Sequence, residues 1–333
     1  MTATEQTQTM SVREALRLAL HEELERDERV FLLGEEIGLF EGSYRVTAGL
    51  MEEFGEERVR DTPISEEGFV GAAIGAAMAG GRPVVEIMTV NFSLLAMDQI
   101  VNNAAKIQYM FGGEAGCPIV VRTPGGGGSQ LTAQHSQSFD AWFAHVPGLK
   151  VLAPATPADA KGLLKSAIRD DDPVLFLESF PLYNTKGEVS GDRDAVEPIG
   201  RARVAREGED VTVVAHSYAV VRALEAADEL AEDDVSVEVI DLRSLRPLDF
   251  DTVAESVTKT NRALCVEEGW ATYGVTAELA ARIGEDCFDE LDAPVVRVGA
   301  SEVPLPYAKN LERAALPSTG KVTAAARRVL QGS

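Results

Sequence analysis

The 333-residue sequence predicts an α/β protein built from two parallel-sheet domains in tandem. Three observations carry that prediction. Short strand-like segments alternate with helical ones along most of the chain. The strand segments, such as Pro83 to Val90 and Val211 to Ala215, are nearly continuous apolar runs, the pattern of strands covered on both faces. The alternation breaks at Asn184 to Pro198, a polar stretch with no period, and then restarts. That break reads as a linker over 184–198. It separates a first domain, 11–183, from a second, 199–333, with residues 1–10 as a loose polar tail.

In order, Ser11 starts a helix, with Glu14 three residues on completing a capping box and Val12, Ala15, Leu16 and Leu20 forming the apolar face. Val30 to Leu33 is a strand ending at Gly34-Glu35-Glu36, and Val46 to Phe54 is a helix. Glu66 then opens a charge-free run, Gly68 to Gly81, in which nearly every residue is Gly, Ala or a small aliphatic. Helices avoid that much glycine, which costs roughly 1 kcal/mol per residue against alanine. Gly68, Ala72, Gly75 and Ala79 fall on one helical face, a smooth stripe that admits a close neighbour and leaves Glu66 at the mouth of a dry helix. Pro83 to Val90 follows as a strand, and Ser93 caps a long helix to Met110, stopped by Gly112-Gly113. Pro118 to Arg122 is a strand and Thr123 to Gln137 a glycine-rich loop. A helix at Phe139 to His145, a strand at Lys150 to Leu152, a helix at Pro157 to Arg169 and a strand at Pro173 to Glu178 complete the first domain.

Beyond the linker, strands are expected at Val211 to Ala215, Val235 to Ile240, Ala263 to Val266 and Val295 to Val298. Helices are expected at Tyr218 to Ala231, Phe250 to Lys259, Gly274 to Ile283 and Lys321 to Leu330.

Composition narrows the function. A net charge of −23 argues against nucleic acid, whose binders carry basic patches, and suits a basic protein partner. The Gly68–Gly81 run is too short for a bilayer, which needs about 20 apolar residues, and the N-terminus lacks the order of a signal peptide. Cys117, Cys265 and Cys287 have no metal-ligand spacing and no disulfide logic, so a reducing cytoplasm is the expected setting.

Several side chains invite chemistry. Glu66 reads two ways: as an acid favoured by the helix dipole, worth at most about 1 kcal/mol, or as a carboxyl in an apolar pocket that trades a proton near neutral pH. His135, in TAQHSQS, is either a surface histidine or an acid/base group on a loop made flexible by Gly125 to Gly128. Of Glu35 and Glu36, one is expected to be buried and the other solvated. Met88 and Phe92 fall on one face of a strand, as core or as flanks for a flat ring. Asp170-Asp171-Asp172-Pro173 fits a metal site and a charged turn equally. No Gly-Lys-Ser/Thr follows the glycine loop and no GxGxxG follows a strand, so neither a P-loop nor a nicotinamide site has support.

The run DTPISEEGFVGAAIGAAMAGGRPVVEIMTVNFSLLAMDQIVNNAAK, then AQHSQS and PGLKVLAPATPADAKGLLKSAI, closely resembles the beta subunits of thiamine-diphosphate-dependent 2-oxoacid dehydrogenases. The second half, from VTVVAHSYAVVRALEAADEL to EVIDLRSLRPLDFDTV, resembles the C-terminal domain shared with transketolases. The resemblance covers nearly the whole chain and implies a transketolase-like pyrimidine-binding domain followed by a transketolase C-terminal-like domain. It implies that Glu66 hydrogen-bonds the cofactor's pyrimidine and promotes the imino tautomer that deprotonates the thiazolium carbon. Phe92 would stack on that ring, with Met88 and Ile64 lining the pocket. His135 would serve acid/base steps and acyl transfer to lipoamide, and Glu35 would couple paired active sites. Relatives bind potassium at positions corresponding to Ile119, Ala167, Ile168, Asp170 and Asp172.

Family members hold the diphosphate through magnesium at a Gly-Asp-Gly motif, and this chain has no GDG. The resemblance therefore implies a split site completed by an alpha subunit, in a two-plus-two heterotetramer that acylates the lipoyl groups of a dihydrolipoyl acyltransferase core docked on the C-terminal domain. Pyruvate is the favoured 2-oxoacid. A branched-chain or acetoin-specific member, and a catalytically silent scaffold or regulatory subunit, are the alternatives.

Overall fold

A computed structural model describes residues 7–332. The chain divides into two compact units, 1–125 with 143–199, and 126–142 with 200–333. The glycine loop thus groups with the second unit although it lies within the first in sequence.

In the first unit six parallel strands run in the order Lys150–Leu152, Val174–Ser179, Val120–Gly125, Arg82–Glu86, Val30–Gly34, Val59–Asp61. The apolar residues of the central strands are buried on both faces, as continuous apolar runs require, while Phe31 and Leu33 of Val30–Gly34 are half-buried. The helix Val12–Arg26 begins with the expected capping box: Glu14 N donates to Ser11 Oγ at 3.3 Å, and Ser11 N donates to Glu14 Oε2 at 2.7 Å. It packs on the helix Pro157–Arg169, which Thr156 caps and Pro157 opens. Between them Lys165 Nζ, fully buried, lies 2.6 Å from Glu22 Oε2, and Arg169 Nη2 lies 2.6 Å from Glu23 Oε1. A buried lysine needs such a partner.

Part of the expected tail and part of the expected linker form a strand pair, while residues 191–198 of the linker are irregular as the sequence suggested. Thr7–Ser11 is a strand paired antiparallel with Lys186–Ser190, in register from Thr7–Ser190 to Ser11–Lys186. Residues 1–6 lie outside the described residues. The pairing uses backbone groups, so polar side chains gave no sign of it.

Other differences bear on the site. The helix expected from Val46 covers only Leu50–Phe54, entered at Gly49 with φ +79°. The strand expected over Pro83 to Val90 ends at Glu86, so Met88 and Phe92 do not alternate on it. The helix expected from Ser93 to Met110 is three pieces: a 3-10 segment Val90–Ala96 capped by Thr89, a π-helical segment Asp98–Ala104, and a short α-helix Ile107–Met110. Ser93 is buried and its hydroxyl donates to Val90 O at 2.5 Å, so it does not cap. Asn102 and Asn103 both donate to Asp98, side-chain bonds that compete with the α pattern.

The second unit's sheet runs Val296–Ala300, Ala263–Trp270, Val211–Ala215, Val237–Asp241, Arg203–Arg206. The first four strands are parallel and the last is an antiparallel edge that the sequence did not suggest. Helices Tyr218–Ala231, Phe250–Thr260, Val275–Asp286 and Thr319–Leu330 form close to expectation, Ser318 and Asp249 capping two of them. All three cysteines are buried and free. No helix among the described residues is long and apolar enough to cross a membrane.

Candidate active site

At the carboxyl ends of the first unit's strands the backbone brings acids together. Gly34 ends its strand because a Cβ there would sit 2.7 Å from Glu86 O. The next residue, Glu35, is only 6% exposed, whereas Glu36 points to solvent, as the sequence suggested. Thr62 N donates to Gly34 O at 2.9 Å and leads the chain into the helix Glu66–Met78. Glu66 is its first residue and only 4% exposed. Burial, then the charges of Glu66 and Glu36, push the Glu35 carboxyl up to about 7. Glu66 is therefore not a lone acid: it and Glu35 are both buried, and its charge reaches the Glu35 carboxyl.

What dries that neighbourhood is not the small-residue stripe. The buried face of the helix is Glu66, Phe69, Val70, Ala73, Ile74 and Ala77. Gly68, Ala72, Gly75 and Ala79 face outward, and a Cβ at Gly75 would meet nothing within 4 Å. Met88 and Phe92 are half-buried beyond the strand Arg82–Glu86, and Ile64 stands 86% exposed.

At this sheet end, Glu35 Oε1, Thr62 Oγ1, Asn91 Nδ2 and Thr123 Oγ1 are buried without a hydrogen-bond partner among the described residues. Buried polar atoms are almost always paired, so several unpaired ones at one sheet end fit a polar ligand.

Behind them lies a buried ionic network that sequence reasoning missed. Arg122, 1% exposed, donates through Nε to Glu178 Oε1 and through Nη2 to Glu178 Oε2, both at 2.7 Å, and through Nη1 to Glu86. Tyr183 Oη donates to Glu178 Oε2 at 2.6 Å. Burial pushes the Glu86 carboxyl up against the opposing pull of Arg122. The signal was present: the apolar runs VVE, VVR and LFLE each end on a charge, and parallel register sets Glu86 opposite Arg122 with Glu178 two rungs further along its strand.

The groups matched to potassium are already engaged. Arg82 Nε donates to Ile168 O at 2.8 Å and its Nη2 to Asp170 O, while Lys150 Nζ lies 2.7 Å from Asp170 Oδ2 and 3.0 Å from Asp172 Oδ2. Ile119 O accepts from Val174 N at 2.9 Å and Ala167 O from Asp170 N at 3.3 Å. Two protein cations therefore share this acidic turn with the groups matched to potassium.

His135 belongs to the second unit. It is half-buried in the loop 126–142, and its N donates to Thr132 O at 3.2 Å. Two of the loop's glycines are required by close approach. A Cβ at Gly126, whose φ is +83°, would lie 2.5 Å from Glu268 Oε1, and one at Gly127 would lie 2.7 Å from Leu305 Cδ1. That is a different reason from the flexibility expected of them.

Residues 8–186 match the family "Transketolase, pyrimidine binding domain" and residues 200–322 match "Transketolase, C-terminal domain". The chain is 51% identical over 334 residues to the mitochondrial pyruvate dehydrogenase E1 component subunit beta of Dictyostelium discoideum, covering 99% of this chain and 94% of that one. It is 54% identical to the Drosophila melanogaster mitochondrial protein of the same name, covering 97% and 90%. Against the Rickettsia felis pyruvate dehydrogenase E1 component subunit beta it is 53% identical, covering 96% and 98%. Among solved structures it is similar to a split gene transketolase described as an inactive beta4 tetramer, with a TM-score of 0.79, 25% identity, and 97% and 99% coverage.

Proposed function

Because the chain belongs to the transketolase-like beta subunits of thiamine-diphosphate-dependent 2-oxoacid dehydrogenases, we propose that it works with an alpha subunit, two of each, to decarboxylate pyruvate oxidatively and acylate lipoyl groups. The observation that carries this reading is the buried Glu35–Glu66 pair beside unpaired polar atoms at the sheet's carboxyl end.

Thiamine diphosphate, when bound, supplies the electron sink that decarboxylation needs. The residues that would hold its pyrimidine are Glu66, Phe92, Met88 and Ile64. Glu35, titrating near neutral pH, holds or releases a proton next to Glu66, which keeps proton exchange available in a site shut off from water. The apolar residues under the helix Glu66–Met78 exclude that water. His135 acts as acid or base when the acyl group leaves for the lipoyl arm. The absent GDG supports an alpha subunit as holder of the diphosphate and its magnesium. No step is routed through potassium. Residues 199–333 hold 24 Asp and Glu against 15 Lys and Arg, and that acidic excess supports docking of a basic domain of the acyltransferase core there. Three free, buried cysteines support a reducing compartment, the cytoplasm in this reading.

The relatives' names favour pyruvate over branched-chain 2-oxoacids and acetoin, and an enzyme over a silent scaffold. Glu66→Gln in the reconstituted heterotetramer should lower the rate about 10²–10⁴-fold, the range of a lost acid–base group. Assays with pyruvate, 3-methyl-2-oxobutanoate and acetoin side by side check both points. A near-wild-type rate for the variant removes Glu66 from the mechanism, and a preference for either other substrate replaces pyruvate.

A further inference from the structure

The second unit's sheet reverses its strand order at a point where the chain's own loop lies. From Val211–Ala215 the chain moves to Val237–Asp241 on one side, then crosses back to Ala263–Trp270 on the other. The strand order therefore reverses between Val211–Ala215 and Ala263–Trp270, and open α/β sheets bind ligands outside the carboxyl ends at such a point. The residues there are His216 and Ser217 after one strand, and Glu267 and Glu268 beyond the last paired rung, Val266 with Ala215, of the other. Glu267 is committed to its own helix, accepting from Val275 N and Thr276 N at 3.1 Å each.

The remaining groups face the loop 126–142. Glu268 Oε1 accepts from Gly127 N at 3.2 Å. Glu312, 1% exposed, accepts from Gly128 N at 3.0 Å and from Gln130 N at 3.1 Å. His216, 2% exposed, has Nε2 at 3.9 Å from Asp140 Oδ2, at the far end of the loop. Asp140, Glu267 and Glu268 surround the imidazole with negative charge, and its Nδ1 has no hydrogen-bond partner among the described residues. Buried carboxylates are costly unless hydrogen-bonded, and backbone amides of a glycine loop meet that need without side chains in the way. Gly126 and Gly127 admit the approach, as described above.

We propose that this sheet end is a socket for the loop carrying His135, with His216, Glu268 and Glu312 as positioning residues that hold His135 in place for acyl transfer. The claim rests on the role given to His135 under Proposed function.

The test uses the heterotetramer with His216→Asn, Glu268→Gln and Glu312→Gln. Hydrogen exchange of peptides spanning 126–142 should quicken by about tenfold or more, with the rest of residues 200–333 unchanged. Unchanged exchange of that segment in all three variants overturns the socket, and equal loss of protection across the whole unit does the same. Acylation of a free lipoyl domain is then measured with and without His135→Ala. Each socket variant should lower the rate about tenfold with His135 present and less than about twofold without it, because groups acting as a unit are not additive. Equal losses in both backgrounds overturn the positioning role. If His135→Ala alone costs nothing, the role of His135 fails, while the exchange measurement still decides whether the loop is socketed.

Discussion

At the scale of single residues, the two acids of the first unit carry the most. Glu66 could be singled out from its sequence neighbours because a carboxylate ahead of a long charge-free helix is locally odd. Its partner was harder to see: Glu35 lies thirty-one positions earlier, and only the parallel pairing of Val30–Gly34 with Val59–Asp61 brings the two together. The pairing has a measurable sign. Glu35 has a folded-state value of about 7 against an ordinary 4.5, so the fold favours its protonated form. That stabilisation is present in full below about pH 4.5 and fades as pH rises through about 7. Glu35→Gln, which carries no charge, should therefore be more stable than the parent above pH 7. Denaturant unfolding at pH 5 and pH 8 should show a gap that widens at pH 8. The same gap at both pH values contradicts the assignment.

At the scale of elements, what was legible is what is local. The capping box of Ser11 and Glu14 is written within four residues and forms as read. Ser11→Ala should cost about 1 kcal/mol of unfolding free energy, the usual worth of such a cap. Loss of no more than a few tenths would mean that the strand pairing Thr7–Ser11 holds the helix start without it. The segment from Thr89 to Met110 was misread because its apolar spacing suits a helix, while Asp98 and its two asparagines divert the hydrogen bonding. The glycine-alanine stripe turns outward for a related reason. Spacing shows which residues share a face but not which face is buried, and Phe69, Val70 and Ile74 took the inward one because burying them excludes more apolar area from water.

At the scale of the whole molecule, the two parallel sheets and their order were legible from repeated apolar runs, whereas the strands Arg203–Arg206 and Lys186–Ser190 were not, being mostly polar and without an apolar run. The missing GDG bears on activity at this scale. The pure chain, mixed with thiamine diphosphate, magnesium and pyruvate, should show no turnover above background until an alpha subunit is added. Full turnover by the single chain, followed as carbon dioxide release, would contradict a divided site.

The route of the chain has one more consequence. Because residues 126–142 group with 200–333, a fragment cut at Gly200 keeps the mortise and loses the tenon. Glu268 and Glu312 would then be two negative charges stripped of the amides that answer them, facing a void or flooding water. The compact unit is therefore not the one that a cut at the obvious linear boundary would excise.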